Sequence, residues 1–211
     1  MDIIGNKDTI NWYNENAHKY AADTDHITFE AAAGDFLERL VPNPKILDAG
    51  CGSGRDSATL TNLGAEVTGI DLSRGLIDIA KHKRPGITFI EGSFLDIPYE
   101  NETFDGVWSH ASLVHLDTIE DVKRALNEFH RVLKPGGQLY LLVKKQTSKE
   151  KTAVVSDSLS NHERFFRYYT EGELTTLLEE SDYRLREIAT EDDPHGREEI
   201  KWIKVFARKA S

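Results

Sequence analysis

Short apolar runs alternate along this chain with stretches whose apolar residues recur at helical spacing. The run Ile46-Leu47-Asp48-Ala49 reads as a short buried strand, and Glu66-Val67-Thr68-Gly69-Ile70-Asp71 as a second strand ending in an acid. Further on, Val122, Ala125, Leu126, Phe129, Val132 and Leu133 fall on one helical face. That helix opens on Thr118-Ile119-Glu120-Asp121, which resembles a capping box. It closes at Lys134-Pro135-Gly136-Gly137, where proline cannot continue a helix and glycine permits the reversal. A second capping box, Thr170-Glu171-Gly172-Glu173, starts a helix carrying Leu174, Leu177 and Leu178, and two strands follow near Arg184 to Thr190 and Lys201 to Arg208. Ahead of the first strand lie two helical patterns, one through Ile10, Tyr13, Ala17, Tyr20 and Ala21, the other through Phe29, Ala33, Phe36, Leu37 and Leu40. Strands alternating with helices predict an α/β fold with a parallel sheet covered on both faces.

The link after the first strand, Gly50-Cys51-Gly52-Ser53-Gly54-Arg55, carries the strongest chemical signal. Glycines at every second position let the backbone bend sharply and approach a ligand with no Cβ in the way. The following helix aims free N–H groups at the crevice. In a doubly wound sheet this is where a nucleotide-like cofactor binds, and an acid at the end of the next strand accepts ribose hydroxyls. Asp71 is that acid, while Ser73 is better placed to cap the helix behind it. The dinucleotide fingerprint needs a third glycine where Arg55 stands, so the spacing does not favour NAD.

The pattern beginning at Asp48, D-x-G-x-G-x-G, resembles the nucleoside-binding loop of the class I S-adenosylmethionine-dependent methyltransferases. Later segments are similar to the same family. Ile87–Ser93 looks like its third strand and the loop beneath adenine, Phe104–His110 like its fourth strand, and Arg131–Leu139 like the turn into its fifth. The likeness runs from about Lys45 to about Val143. It implies a Rossmann-like, doubly wound, seven-stranded sheet, mostly parallel, with an antiparallel C-terminal strand inserted beside the fifth. It also implies an N-terminal helical lid. One domain over residues 1–211 is expected: a lid segment 1–43, a cofactor-binding core 44–145 and a substrate-side segment 146–211.

The resemblance assigns S-adenosyl-L-methionine as cofactor, with Asp48, Gly50, Cys51, Gly52, Gly54 and Arg55 forming its loop. Asp71 would take the ribose and Ser93 the adenine, with Leu72 and Phe94 as further cofactor-binding residues. Tyr20 and His110 would stand at the methionine end, and Ser109 is a further cofactor-binding residue. Relatives carry an acid at Ser93, and Asp96 is a candidate substitute. By the same analogy Tyr13 and His18 face the substrate, against plain packing and surface roles. Methyl transfer needs a base only when the acceptor must lose a proton. His110 and His115 are the candidate catalytic bases, with Asp117 near them, and each histidine also has a structural reading. Trp108 reads as packing in the fourth strand.

Composition narrows the partners. With 26 Lys and Arg against 36 Asp and Glu, the net charge of −10 opposes general affinity for nucleic acid. Lys144, Lys145, Lys149 and Lys151 form the one basic run, either a solvated loop or a receiver for an anionic substrate. No apolar run is long enough to span a bilayer, and no secretory signal is recognisable, so a cytoplasmic monomer or homodimer is expected. The single cysteine, Cys51, excludes an intrachain disulfide and reads as loop packing. No histidine spacing suggests a metal site. The segment Asn161 to Tyr169 mixes aromatic with basic residues, as a pocket wall or as an anchor for the next helix, whereas His195 and Trp202 read as structural. The expected function is methyl transfer to a small-molecule acceptor. A non-catalytic S-adenosylmethionine-binding protein and an NAD-dependent oxidoreductase are the alternatives.

Overall fold

Strand β1 (Lys45–Ala49) is buried at four of its five positions, as a strand covered on both faces must be. A computed structural model of the chain describes residues 5–156, 163–193 and 196–210. After β1 the chain alternates α4 (Arg55–Asn62), β2 (Glu66–Asp71), α5 (Arg74–Lys83), β3 (Thr88–Glu91) and β4 (Phe104–His110). A short 3-10 turn over Leu113–His115 then leads to α6 (Ile119–Val132) and β5 (Leu133–Lys144). Before β1 stand α1 (Gly5–Glu15), α2 (Ala17–Thr24) and α3 (Glu30–Leu37). After β5 come β6 (Thr152–Ser156), β7 (Glu163–Arg167), α7 (Glu171–Glu180), β8 (Tyr183–Asp192) and β9 (Lys201–Lys209).

The main sheet has the order β3-β2-β1-β4-β5-β9-β8. Pairings from β3 through β5 are parallel, and β9 runs antiparallel to both β5 and β8. This is the doubly wound sheet expected from the sequence, with the last strand beside the fifth. Connections reverse direction between β1 and β4, so a crevice opens at the carboxyl ends of those strands.

The caps also stand where the sequence put them. Thr118 accepts from Asp121 N, Thr170 from Glu173 N and Ser73 from Leu76 N. Helix α6 buries Val122, Ala125, Leu126, Phe129 and Val132 against the sheet, at roughly 1.5–3 kcal/mol for each large side chain. On the other face Trp108 stacks flat on Tyr140, with ring centroids 3.7 Å apart, and Phe36 packs edge-on against Trp108.

Two features depart from the expected elements. The first helical pattern is two helices, parted at Asn16, whose φ of −109° and ψ of 14° leave the helical region. The Asn16 side chain donates to Trp12 O at 2.9 Å, offering that carbonyl a local partner. Strands β6 and β7 form a separate antiparallel pair that the sequence pattern did not announce. Asn161, His162 and His195 lie outside the described residues. Among the described residues no helix is long and apolar enough to cross a membrane, and no cluster of potential ligands could hold a metal ion.

Candidate active site

Gly50, Gly52 and Gly54 all have positive φ, at 83°, 53° and 84°. The turn they make is anchored by Gly50 N and Cys51 N, which both donate to Ile70 O at 2.8 and 3.1 Å. A Cβ on Gly50 would stand 2.3 Å from the Ser112 Cβ, so that position admits only glycine. A Cβ on Gly52 would meet only Leu76 Cδ1, at 3.9 Å, because this face of the turn borders open space.

That space is a cavity of about 540 Å³, of the size small-molecule sites occupy. Asp71 closes it from β2. Its Oδ2 accepts from Gly52 N at 2.9 Å and its Oδ1 from Ser73 N at 2.8 Å. Burial raises the Asp71 pKa, and the two backbone N–H groups pull it back. A carboxylate has about four acceptor positions, so each oxygen keeps capacity for a hydroxyl donor. The cradle therefore fits a ribose diol.

Of the sequence-nominated residues, Tyr20, Gly50, Gly52, Arg55, Asp71 and Leu72 line the cavity, as do Ser93, Phe94, His110 and His115. Asp48, Cys51, Gly54 and Ser109 are not among the lining residues. Asp48 is buried behind the turn, where Ser57 Oγ donates to it at 2.6 Å. Burial and the neighbouring Asp56 push its pKa up. Ser109 lies 2.7 Å from Ser112 Oγ, which donates to Ala49 O. Burial drives the Cys51 thiol well above its usual pKa, consistent with packing and not with a nucleophile. Asp96 and His18 are exposed and absent from the lining, so the proposed substitution for Ser93 and the substrate-facing placement of His18 have no support.

Beneath Arg55 lies a polar cluster that the sequence did not signal. Asp56 is buried; Arg55 Nε donates to it at 2.7 Å and Trp108 Nε1 at 3.0 Å, and His110 Nδ1 stands 2.9 Å away. Burial favours the neutral acid here, but His110 and Arg55 prevail and hold Asp56 well below the usual carboxylate range. Phe29 packs edge-on to His110, with Arg55 over its ring.

The far end of the cavity is built from distant segments. Tyr13, on α1, is 3.0 Å from His115 Nε2, and Arg164, on β7, donates to the same phenol at 3.1 Å. His115 Nδ1 faces Phe165 O at 2.9 Å. A carbonyl can only accept, so Nδ1 carries the proton and Nε2 accepts from Tyr13 Oη. Burial lowers the His115 pKa to about 3, with the Arg164 and Lys144 charges adding to the shift and the Phe165 carbonyl opposing it.

The lysine run divides. Lys144 lines the cavity, Lys145 bonds to Thr190 and Glu171, Lys151 pairs with Glu173, and Lys149 is exposed. In the aromatic segment Phe166 lines the cavity, whereas Tyr169 is buried and donates to Leu113 O. Arg197 and Trp202 also line it, and both donate to the buried Asp193, at 2.8 and 2.9 Å. No spacing in the sequence pointed to either.

Residues 47–141 match the family model described as "Methyltransferase domain". A demethylmenaquinone methyltransferase of Chlorobaculum tepidum is 40% identical over 100 residues, which is 47% of this chain and 40% of the relative. The chain thus spans less than two thirds of the length of the curated relatives it matches. Among solved structures, a SAM-dependent methyltransferase of Methanosarcina mazei superposes with a TM-score of 0.73 at 25% identity, covering 82% of this chain and 95% of that one. The 1,6-didemethyltoxoflavin-N1-methyltransferase of Burkholderia thailandensis, solved with 1,6-didemethyltoxoflavin and S-adenosylhomocysteine bound, has a TM-score of 0.77 at 22% identity. That match covers 97% of this chain and 88% of that one, and shows the likeness of fold.

Proposed function

We propose, from the match of residues 47–141 to a methyltransferase domain and the fold shared with a SAM-dependent methyltransferase, that this chain is a class I S-adenosylmethionine-dependent methyltransferase and that it methylates a small-molecule acceptor. The observation that carries this reading is one continuous cavity. It joins the glycine turn and Asp71 to a second lobe under Tyr13, Lys144 and Arg164. When bound, the cofactor supplies an electrophilic methyl group on a sulfonium. Asp71 would hold the ribose, Gly50 and Gly52 would leave room for close backbone approach, and Ser93 and Phe94 would border the base. The tasks left to the protein are orienting the acceptor and excluding water.

Helices α1 and α2 are read as the cover over this site, since Ile10, Tyr13, Tyr20 and Thr24 all border it. Of the two candidate bases, His115 has both ring nitrogens engaged and stays neutral, which leaves it as a positioning residue for Tyr13. His110 lines the cavity with the Asp56 carboxylate 2.9 Å from its Nδ1, so a charged partner stands beside the ring. It is the histidine to test. Isothermal titration with S-adenosylmethionine and S-adenosylhomocysteine checks the cofactor. Turnover of labelled methyl groups on a panel of amines, phenols and thiols separates an enzyme from a protein that only binds. A folded sample that binds neither compound would refute the proposal.

A further inference from the structure

The acids around the glycine turn already have their donors, with one exception. Asp25, just past α2, accepts from Ser53 Oγ at 2.8 Å and from Lys83 Nζ at 2.6 Å. Asp48 accepts from Ser57, Asp56 from Arg55 and Trp108, and Asp71 from Gly52 N and Ser73 N. Asp23, near the end of α2, differs. It borders the cavity, yet its Oδ2 is closed to solvent and accepts no hydrogen bond from any described residue. A carboxylate oxygen shut off from water without a donor is costly, and a cationic donor satisfies it best.

The segment that carries Asp23 crosses one end of the cavity. Tyr20, one turn earlier on α2, borders it together with Asp23 and Thr24. Burial raises the Tyr20 pKa, and the Arg55 charge is the first to oppose it, which marks Arg55 as a neighbour. Past Asp23 the chain is tied to the turn through Asp25 and Ser53. Phe29 then packs against His110, with Arg55 over its ring. Residues 20–29 thus run from the glycine turn to the end of β4. With the ribose on Asp71 and the base beside Ser93 and Phe94, the cofactor's sulfur would point away from the base, toward the acceptor lobe under Tyr13, Lys144 and Arg164. The amino-acid tail on that sulfur would then run beneath residues 20–29.

We infer that Asp23 receives the α-ammonium group of the cofactor's methionine tail. The inference rests on the methyltransferase reading and adds to it the residue that recognises the amino-acid end. An ammonium group brings three N–H donors and a full positive charge, which is what this carboxylate lacks. Rotation about χ2, a broad torsion in aspartate, turns either oxygen toward it. An adenosine thioether without the amino acid keeps the ribose and base contacts and loses this one. An ammonium on the methyl acceptor would suit the same carboxylate, and the choice of ligands separates the two.

The test is titration calorimetry on the full chain with three compounds: S-adenosylhomocysteine, its des-amino analogue and 5′-deoxy-5′-methylthioadenosine. The parent should bind S-adenosylhomocysteine at least about tenfold more tightly than the des-amino analogue. Asp23→Asn keeps the shape of the side chain and should melt no lower than the parent. In this variant S-adenosylhomocysteine should weaken by about tenfold, and the two compounds without the amine by less than about twofold. A parent indifferent to the amine, or a loss shared by all three compounds, would overturn the inference. Unchanged S-adenosylhomocysteine affinity in Asp23→Asn would overturn it too. A parent that binds none of the three would instead strike at the cofactor assignment itself, so the two failures are distinct.

Discussion

Replacing Asp71 by alanine isolates the group on which the cofactor half of the site depends. Its carboxylate accepts Gly52 N at 2.9 Å and Ser73 N at 2.8 Å, and each oxygen has room for one ribose hydroxyl. A hydrogen bond to a charged group contributes about 1.5–3 kcal/mol. Water reaching the emptied position recovers part of this, so two such bonds amount to roughly 2–4 kcal/mol, or about 30- to 1,000-fold in Kd. Stability should fall by less, about 1–2 kcal/mol, because the lost backbone bonds are offset by removal of a carboxylate whose charge is costly to bury. Titration calorimetry with S-adenosylhomocysteine and with its 2′-deoxy analogue, on parent and variant, completes a double-perturbation cycle. If the contact is real, the two losses overlap and their sum exceeds the combined effect. Asp71→Ala within threefold of the parent, or strictly additive losses, would refute the assignment. The pH dependence has a definite sign. Burial raises the Asp71 pKa in the free protein, and donors from the ribose favour its ionised form. Affinity should therefore weaken as pH falls through that raised pKa, with protons released on binding.

His115 titrates near 6.5 when unfolded and at about 3 when folded. The unfolded chain alone takes up its proton in that window, so stability is full above about pH 6.5 and drops by about 1.4 kcal/mol per pH unit below it. Urea unfolding at pH 7 and pH 5 should show a smaller drop for His115→Gln than for the parent, and equal drops would contradict the assignment. Asp56→Ala strips the partner from Arg55 and Trp108. It should cost about 3–5 kcal/mol in denaturant melts, and a loss below 1 kcal/mol would show the cluster to be relaxed. Gly50→Ala should abolish cofactor binding, because its Cβ would strike Ser112 at a φ of 83°. Gly34→Ala in α3 meets nothing within 4 Å and should stabilise by about 0.5–1 kcal/mol. A reversal of that order in thermal melts and calorimetry would mean the turn is misread.

The two halves of the site were not equally legible. Asp48 to Arg55 and Asp71 sit within one stretch of strand, turn, helix and strand, and each is demanded by local backbone geometry. The turn could therefore be read before any packing was known. The acceptor lobe draws Tyr13, Lys144, Arg164, Arg197 and Trp202 from five separate segments. Their meeting depends on β7 folding back over the 3-10 turn, which has no spacing signature, and on β9 entering beside β5, which the family resemblance implied but no local pattern tied to these side chains. Strand β6 hid for a related reason. Its consecutive Val154 and Val155 are both exposed, so the alternation that marks a half-buried strand is missing. Trp202 looked structural because a lone tryptophan gives no clue to the carboxylate, Asp193, that aims it.

Helix α1 is what makes these halves one site. Asn14 Oδ1 accepts from Ser73 Oγ at 2.9 Å and from Gly75 N at 3.0 Å, which fastens the helix to the start of α5 just past Asp71. The adjacent Tyr13 reaches the other way, to His115 and Arg164. Thr9, one turn earlier, accepts from Phe165 N on β7 at 3.2 Å. Beyond α2, Asp25 accepts from Ser53 in the glycine turn at 2.8 Å and from Lys83 at 2.6 Å. One short segment is thus bonded to the glycine turn, the ribose side and the acceptor lobe together. A shift of α1 that disturbs the ribose side must also move the phenol between Arg164 and His115. Periodicity could show only that such a helix exists, because an apolar face at Ile10, Ala17 and Ala21 fits ordinary packing equally well. The function of the helix lies in Asn14 and Tyr13, neighbours in sequence whose side chains serve opposite ends of one cavity.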